Sequence, residues 1–253
     1  MHPLPRASSK TISEDGTIAA WNPDDKNTAE LPIDNSSDTA DGDPAIGGAV
    51  YKGLAIGMSD IGPTLYAANF RHGTVDMFGK DFNQIGSFTA CDVPDGYAPF
   101  NVQVLDGKLY VTFAQQDDMK HDDVAGPHHG FVDVFTLNGE EIAQVGAGGK
   151  LDSPWGLAIA PASFGSFAGD LLVGNFGNGR INVFDQNADQ FRGQLGGPHG
   201  KPITIDGLWS LTAGSGGSAG NPNTIYFTAG PNDEKDGLFG SLSVVPNYGA
   251  IFA

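Results

Sequence analysis

The chain is short of several things, and each shortage narrows the reading. One of its 253 residues is cysteine, Cys91, so no disulfide can form within the chain. A domain of this size can build a core without such staples. No run reaches the roughly 18 apolar residues of a membrane-spanning helix. The opening residues also lack the apolar segment of a secretory signal. No segment keeps a 3.6-residue apolar period, so little helix is expected. Basic residues are scarce: 13 Lys and Arg stand against 30 Asp and Glu, a formal net charge of −17. A field of that sign repels phosphate backbones and anionic lipid, which argues against a nucleic-acid partner and against membrane insertion. Solubility is the plain reading of this charge; cation binding is the other.

Glycine is plentiful at 37 residues, with 16 prolines, the punctuation of many short strands. One stretch recurs. Gly179-Arg180-Ile181-Asn182-Val183-Phe184 is a turn glycine followed by period-2 apolar residues, the signature of a strand with a buried face. The same pattern occupies residues 73–78, 130–135 and 240–245, and 16–21 fits with Ala at one apolar site. A unit recurring roughly every 50 residues falls in the range of four-stranded propeller blades.

Four units follow. Strands are expected at 53–56, 64–69, 74–78 and 84–88; at 100–105, 108–113, 131–135 and 141–145; and at 155–160, 170–175, 180–184 and 191–195. The last unit reads 208–213, 224–229 and 241–245, with its fourth strand unassigned. Residues 1–13 read as irregular or disordered, and 14–253 as a single β-propeller domain with a long polar loop at 22–48 and one weak strand at 29–33. Residues 16–21 look like the third strand of an earlier blade whose two upstream strands are missing. The expectation is an all-β propeller with about four complete blades and one partial blade. It lacks its natural N-terminal part, and residues 248–252 do not restore the first blade.

Five motifs carry a family resemblance. They are Glu14-Asp15-Gly16-Thr17-Ile18 with Trp21-Asn22-Pro23; Ala98-Pro99-Phe100-Asn101-Val102-Gln103; Pro154-Trp155-Gly156-Leu157-Ala158; Leu171-Leu172-Val173-Gly174-Asn175-Phe176; and Gly207-Leu208-Trp209 with Tyr226-Phe227-Thr228-Ala229-Gly230-Pro231. Together they resemble an uncharacterised bacterial family of exported β-propellers, similar in turn to NHL-repeat and gluconolactonase-type propellers. The resemblance implies six blades in an intact member and an extracellular or periplasmic setting. It implies no activity, so no catalytic residue is carried over.

Three groups of residues are candidates for a site. Asn69 and Asn175 end equivalent second strands, and Asn101 starts a first strand. Calcium-dependent propeller hydrolases gather Asn, Asp and Glu oxygens around a hard cation, which can polarise an ester carbonyl or activate water. Asn at a strand end also bonds backbone groups with no ligand at all. The loop 115–130 gathers Asp117, Asp118, His121, Asp122, Asp123, His128 and His129, a mixture suited to calcium or zinc but without a fixed-geometry spacing. Its bland reading is a solvated acidic loop. Trp155 and Trp209 hold matched first-strand positions, with Phe100 placed similarly. Such aromatics either stack on a flat ligand or fill space between blades. His72 and His199 sit beside turns without an evident partner. No nucleophile-elbow, Walker or dinucleotide motif occurs, and Cys91 reads as a small apolar residue. The resulting expectation is a non-enzymatic propeller that binds a small molecule or protein. The alternative is a calcium-dependent lactonase or esterase with its site at the channel mouth. Calcium is the cofactor that this alternative implies.

Overall fold

The computed structural model describes residues 9–24, 27–37, 47–147, 149–185, 190–197 and 200–244, and the backbone of 251–252. Five sheets follow one another in chain order. The first holds β1 (Ser9–Ile12), β2 (Thr17–Trp21) and β3 (Glu30–Asp34). The second holds β4 (Tyr51–Ser59), β5 (Gly62–Asn69), β6 (Thr74–Phe78) and β7 (Gln84–Phe88). The third holds β8 (Tyr97–Leu105), β9 (Lys108–Gln115), β10 (Phe131–Phe135) and β11 (Glu141–Ala147). The fourth holds β12 (Pro154–Ile159), β13 (Leu171–Asn175), β14 (Ile181–Asp185) and β15 (Gln190–Gln194). The fifth holds β16 (Leu208–Ala213), β17 (Ile225–Ala229), β18 (Leu238–Val244) and β19 (Ile251–Phe252). Each sheet is ordered as its strands run in sequence, the meander of a propeller blade. Two short 3-10 turns, Ala162–Phe167 and Gly217–Ala219, lie between strands of the fourth and fifth sheets.

Two compact units divide the chain. One comprises Met1–Val111, Gln115–Asp123 and Phe135–Ile142; the other comprises Thr112–Ala114, Val124–Val134 and Ala143–Ala253. In the first, Ile18 and Ile33 pack with Tyr51, Leu65, Ala67 and Phe78. In the second, Leu172, Ile181 and Val183 pack with Leu208, Leu211, Ile225 and Phe227. The recurring phenylalanines Phe78, Phe135 and Phe184 are all buried, as strands with one apolar face require.

Several expectations need correction. Ser9–Ile12 was expected to be irregular, yet it pairs antiparallel with β2 as β1. One upstream strand is therefore present in the first sheet, not none. Tyr248, Gly249 and Ala250 lie outside the described residues, but Ile251–Phe252 pairs with Ser243 and Val244 of β18. It thus supplies the unassigned fourth strand of the last sheet. Gly73, Gly130 and Gly179 each precede the third strand of a sheet, whereas Gly240 lies inside β18 opposite Phe227. A Cβ on Gly240 would come 2.3 Å from the Phe227 ring, so the glycine serves close packing there, not a turn.

Two further glycines set how sheets approach. In the first unit a Cβ on Gly53 of β4 would lie 2.6 Å from the Asn101 Cα of β8. In the second unit a Cβ on Gly156 of β12 would lie 2.7 Å from the Trp209 carbonyl oxygen of β16. In each case the first strand of one sheet meets the backbone of the next sheet's first strand at a residue with no side chain. We expect Gly156→Ala to force these strands apart at a cost of about 1–3 kcal/mol, the range for overpacking a filled core. The urea midpoint reports it; an unchanged midpoint would mean that the strands separate freely.

Candidate functional site

The asparagines are taken up by structure. Asn69, at the end of β5, is buried. Its Oδ1 accepts the N–H groups of Val50 (3.4 Å) and His72 (3.3 Å), and its Nδ2 donates to Asp76 Oδ2 (3.0 Å) and lies 3.2 Å from His72 Nδ1. His72 thus has the partner that the sequence did not reveal. Asn101 is buried over Gly53. Asn175, at the end of β13, donates through Nδ2 to the Lys150 carbonyl (2.8 Å) and to Asn178 Oδ1 (3.1 Å). Its buried Oδ1 has no hydrogen-bond partner among the described residues.

A polar position missed in the sequence accompanies them. Three residues after the glycine, β6, β10 and β14 carry Asp76, Asp133 and Asn182, all buried. In two of the three a glutamine on the fourth strand donates to it, Gln144 to Asp133 (3.0 Å) and Gln194 to Asn182 (2.9 Å). Asp76 instead accepts from Tyr51 Oη (3.1 Å), Asn69 Nδ2 (3.0 Å) and Thr74 Oγ1 (2.9 Å). The signal was there: the unconstrained fourth position of the repeated motif is Asp, Asp and Asn in these copies. Burial pushes the Asp76 carboxyl above its ordinary 3.8, and the three donors and His72 offset only part of that.

The acidic loop divides by role. Asp117 shapes its own turn, its Oδ1 accepting the His121 N–H (2.8 Å) and the Asp122 N–H (3.3 Å). Asp118 and His128 are exposed, and Asp123 bridges to Gln116 through backbone pairing. His129 turns inward on the Val124 carbonyl, 2.7 Å from Nδ1. His121 and Asp122 do come together, and a residue outside the loop joins them. Glu14, His121 and Asp122 offer one ligand atom each, all within 4.8 Å of one another. Lys52, whose side chain is 5% exposed, puts Nζ 2.5 Å from Glu14 Oε1 and 3.0 Å from Asp122 Oδ1. An ammonium therefore already sits where a cation would. Burial acts to raise the Asp122 carboxyl, but bonds from Lys52 and His121 outweigh it and leave its pKa below 3.8.

The tryptophans of β12 and β16 meet, a contact that their matched positions did not foretell. Trp155 and Trp209 pack edge to face with centroids 5.3 Å apart. Phe176, next after Asn175, lies 4.4 Å from Trp209. Trp209 Nε1 donates to Glu234 Oε1 at 2.6 Å, which fixes the indole. All three rings are half-buried. The first unit repeats the pairing with Phe70, next after Asn69, against Phe100 at 5.3 Å. Both of those rings are fully buried, so Phe100 is core and not rim. Cys91 is exposed rather than packed, and its N–H donates to Glu141. His199 lies outside the described residues.

With the geometry in place, the chain can be compared with known proteins. No family model matches it. Two uncharacterized proteins of Acanthamoeba polyphaga mimivirus are 33% and 31% identical to it over 239 residues, each match covering 92% of this chain. The chain spans 60% and 56% of those relatives. They lend no support to the bacterial origin that the motifs suggested. Among solved structures, a protein of unknown function from Bacteroides caccae aligns with a TM-score of 0.57 at 12% identity, over 95% of this chain and 69% of that one. A gluconolactonase from Xanthomonas campestris aligns at 0.55 with 15% identity, over 94% and 68%. The fold is an all-β propeller. No helix among the described residues is long and apolar enough to cross a membrane.

Two outcomes test this description. The folded state holds the Asp76 proton more tightly than the unfolded chain does. Stability should therefore fall as pH rises from 3.8 through the folded pKa, then level off. Asp76→Asn cannot titrate, so the wild type should lose stability relative to it across that window in urea melts at stepped pH. Parallel profiles would show that Asp76 is not a buried titrating acid. For the Glu14 cluster, one equivalent of zinc should leave the wild-type Tm unchanged. Lys52→Met should gain a zinc-dependent rise that His121→Ala abolishes. A rise already present in the wild type and lost in His121→Ala would show that metal displaces the ammonium.

Proposed function

We propose that the chain is a binding propeller that holds its ligand at the Trp155–Phe176–Trp209 corner and does not transform it. The observation that carries this reading is the half-exposed state of three converging rings whose counterparts Phe70 and Phe100 are sealed in core. The two indoles stand at 86°, so a flat ligand stacked on one ring would meet the edge of the other. The bond from Trp209 to Glu234 holds that geometry before the ligand arrives, which lowers the ordering cost of binding. The polar residues that could serve hydrolysis are otherwise engaged: Asn69 with Val50, His72 and Asp76, and Asp122 with Lys52. An extracellular setting rests on the resemblance to exported propellers.

A calcium-dependent lactonase or esterase is the second reading. The gluconolactonase among the structural neighbours supports it, as does the buried, unpartnered Oδ1 of Asn175, an oxygen that would suit a hard cation. One experiment separates the two. Purified protein is assayed on glucono-δ-lactone with and without calcium, and its tryptophan emission is titrated with neutral sugars, nucleosides and aromatic heterocycles. The binding reading expects no calcium-dependent turnover and an emission change that Trp209→Ala removes. Calcium-dependent hydrolysis lost in Asn175→Ala but kept in Trp209→Ala would replace it with the second reading.

A further inference from the structure

A recess lies on the fifth sheet, lined by none of the residues read as site candidates in the sequence. Its volume is 530 Å³, within the roughly 300–1,000 Å³ of small-ligand pockets. Ser210 and Thr212 of β16, Tyr226 and Thr228 of β17, and Phe239 of β18 face it. The Tyr226 and Phe239 rings stand 5.9 Å apart and within 10° of parallel. The register explains this. Tyr226 pairs with Ser241 and Thr228 with Phe239, so the two rings are diagonal neighbours across two strands. Phe239 is 70% exposed, among the largest exposures of any large apolar residue described.

One ring of this platform is held rigidly. Tyr226 Oη accepts the Asn221 N–H at 3.0 Å. The loop also presses so close that a Cβ on Gly220 would come 2.5 Å from the ring. Beside the rings, Ser210 Oγ and Thr228 Oγ1 lie 2.7 Å apart, hydroxyls that both donate and accept. The lining is also uncharged: in a chain with 43 acidic and basic side chains (30 and 13), none contributes to it. No carboxylate is there to hold a cation, and the surrounding negative field disfavours an anion.

We propose that this recess binds a neutral oligosaccharide. Two parallel exposed rings offer apolar faces for the C–H faces of successive pyranose rings. The paired hydroxyls of Ser210 and Thr228 exchange hydrogen bonds with the sugar hydroxyls. Ser210 and Thr228 bond each other with one hydroxyl proton, and a purely apolar partner would leave the second proton without an acceptor, which costs binding. This site is separate from the tryptophan corner and stands or falls without it.

The test uses the full chain with cellohexaose, laminarihexaose, xylohexaose and chitohexaose as probes. Saturation-transfer NMR detects contact, and calorimetry gives Kd. At least one probe should bind, with saturation strongest on its ring C–H protons. Phe239→Ala should weaken it roughly tenfold or more, as loss of a stacking ring warrants. Thr228→Val should also weaken it, while Ile61→Ala, at an exposed residue between β4 and β5, leaves it unchanged. Phe239 is exposed enough that its removal should not unfold the protein, which a urea melt of the variant checks. Binding that survives Phe239→Ala intact would overturn the proposal. So would a failure of all four probes, and a dimer in sedimentation that Phe239→Ala dissolves would then assign the face to a second copy of this chain.

Discussion

Much of the packing in this protein depends on the approach of neighbouring first strands at a residue without a side chain. At Gly53 the neighbour is Asn101; at Gly156 it is the Trp209 carbonyl. The distances leave no room for a methyl group, so sheets at these points pack backbone against backbone. Much else follows locally. Asn101 is buried because it lies over Gly53. The position of Trp209 beside Phe176 and Trp155 is fixed by the same contact that presses its backbone on Gly156. The aromatic corner is thus a by-product of how two sheets meet, and its partial exposure is what turns packing into a surface that can contact a ligand.

Much of the polar interior obeys a second rule: a buried polar group is kept with partners. Asp76 has three donors, and Asp133 and Asn182 each have a glutamine from the adjoining strand. Lys52 is buried between two carboxylates that reach it from different segments, residue 14 and residue 122. These arrangements resemble catalytic or metal-binding clusters by composition alone. Their geometry satisfies charge and hydrogen-bonding capacity internally, and that distinction separates the loop's His121 and Asp122 from an open metal centre.

The strands were legible because period-2 apolarity and turn glycines act over five or six residues. Gly179 with Ile181 and Val183 is readable without any distant contact. Gly240 misled because the same letter serves two physical purposes, a turn at Gly179 and ring clearance against Phe227 at Gly240. The strand Ser9–Ile12 was unreadable because Lys10 and Thr11 carry no apolar alternation; pairing with β2 creates it. At the site, Trp155 and Trp209 were found through matched positions. Glu14 and Lys52 were not found as partners of the acidic loop, since more than a hundred residues separate Glu14 from Asp122 and only the fold joins them. Phe239 was invisible for a simpler reason: an exposed aromatic on a strand looks like any core aromatic until its surroundings are known.

The buried polar residue of β6, β10 and β14 has a consequence for how the repeats avoid one another. Strands with near-identical alternation can slide by one or two residues, or pair with the matching strand of another repeat. Asp76, Asp133 and Asn182 interrupt that sameness inside otherwise apolar strands. A shift by one residue would carry a carboxylate or amide away from its partner and set an apolar side chain in its place. Exchange between repeats is penalised too, since Asp76 is matched to Tyr51, Asn69 and Thr74, whereas Asn182 is matched to Gln194 and the Lys150 carbonyl. Three of the five sheets therefore carry a polar key in their interior, and that of Asp76 differs from the other two, so a chain built of similar pieces can still tell the second sheet from the third and fourth as it folds.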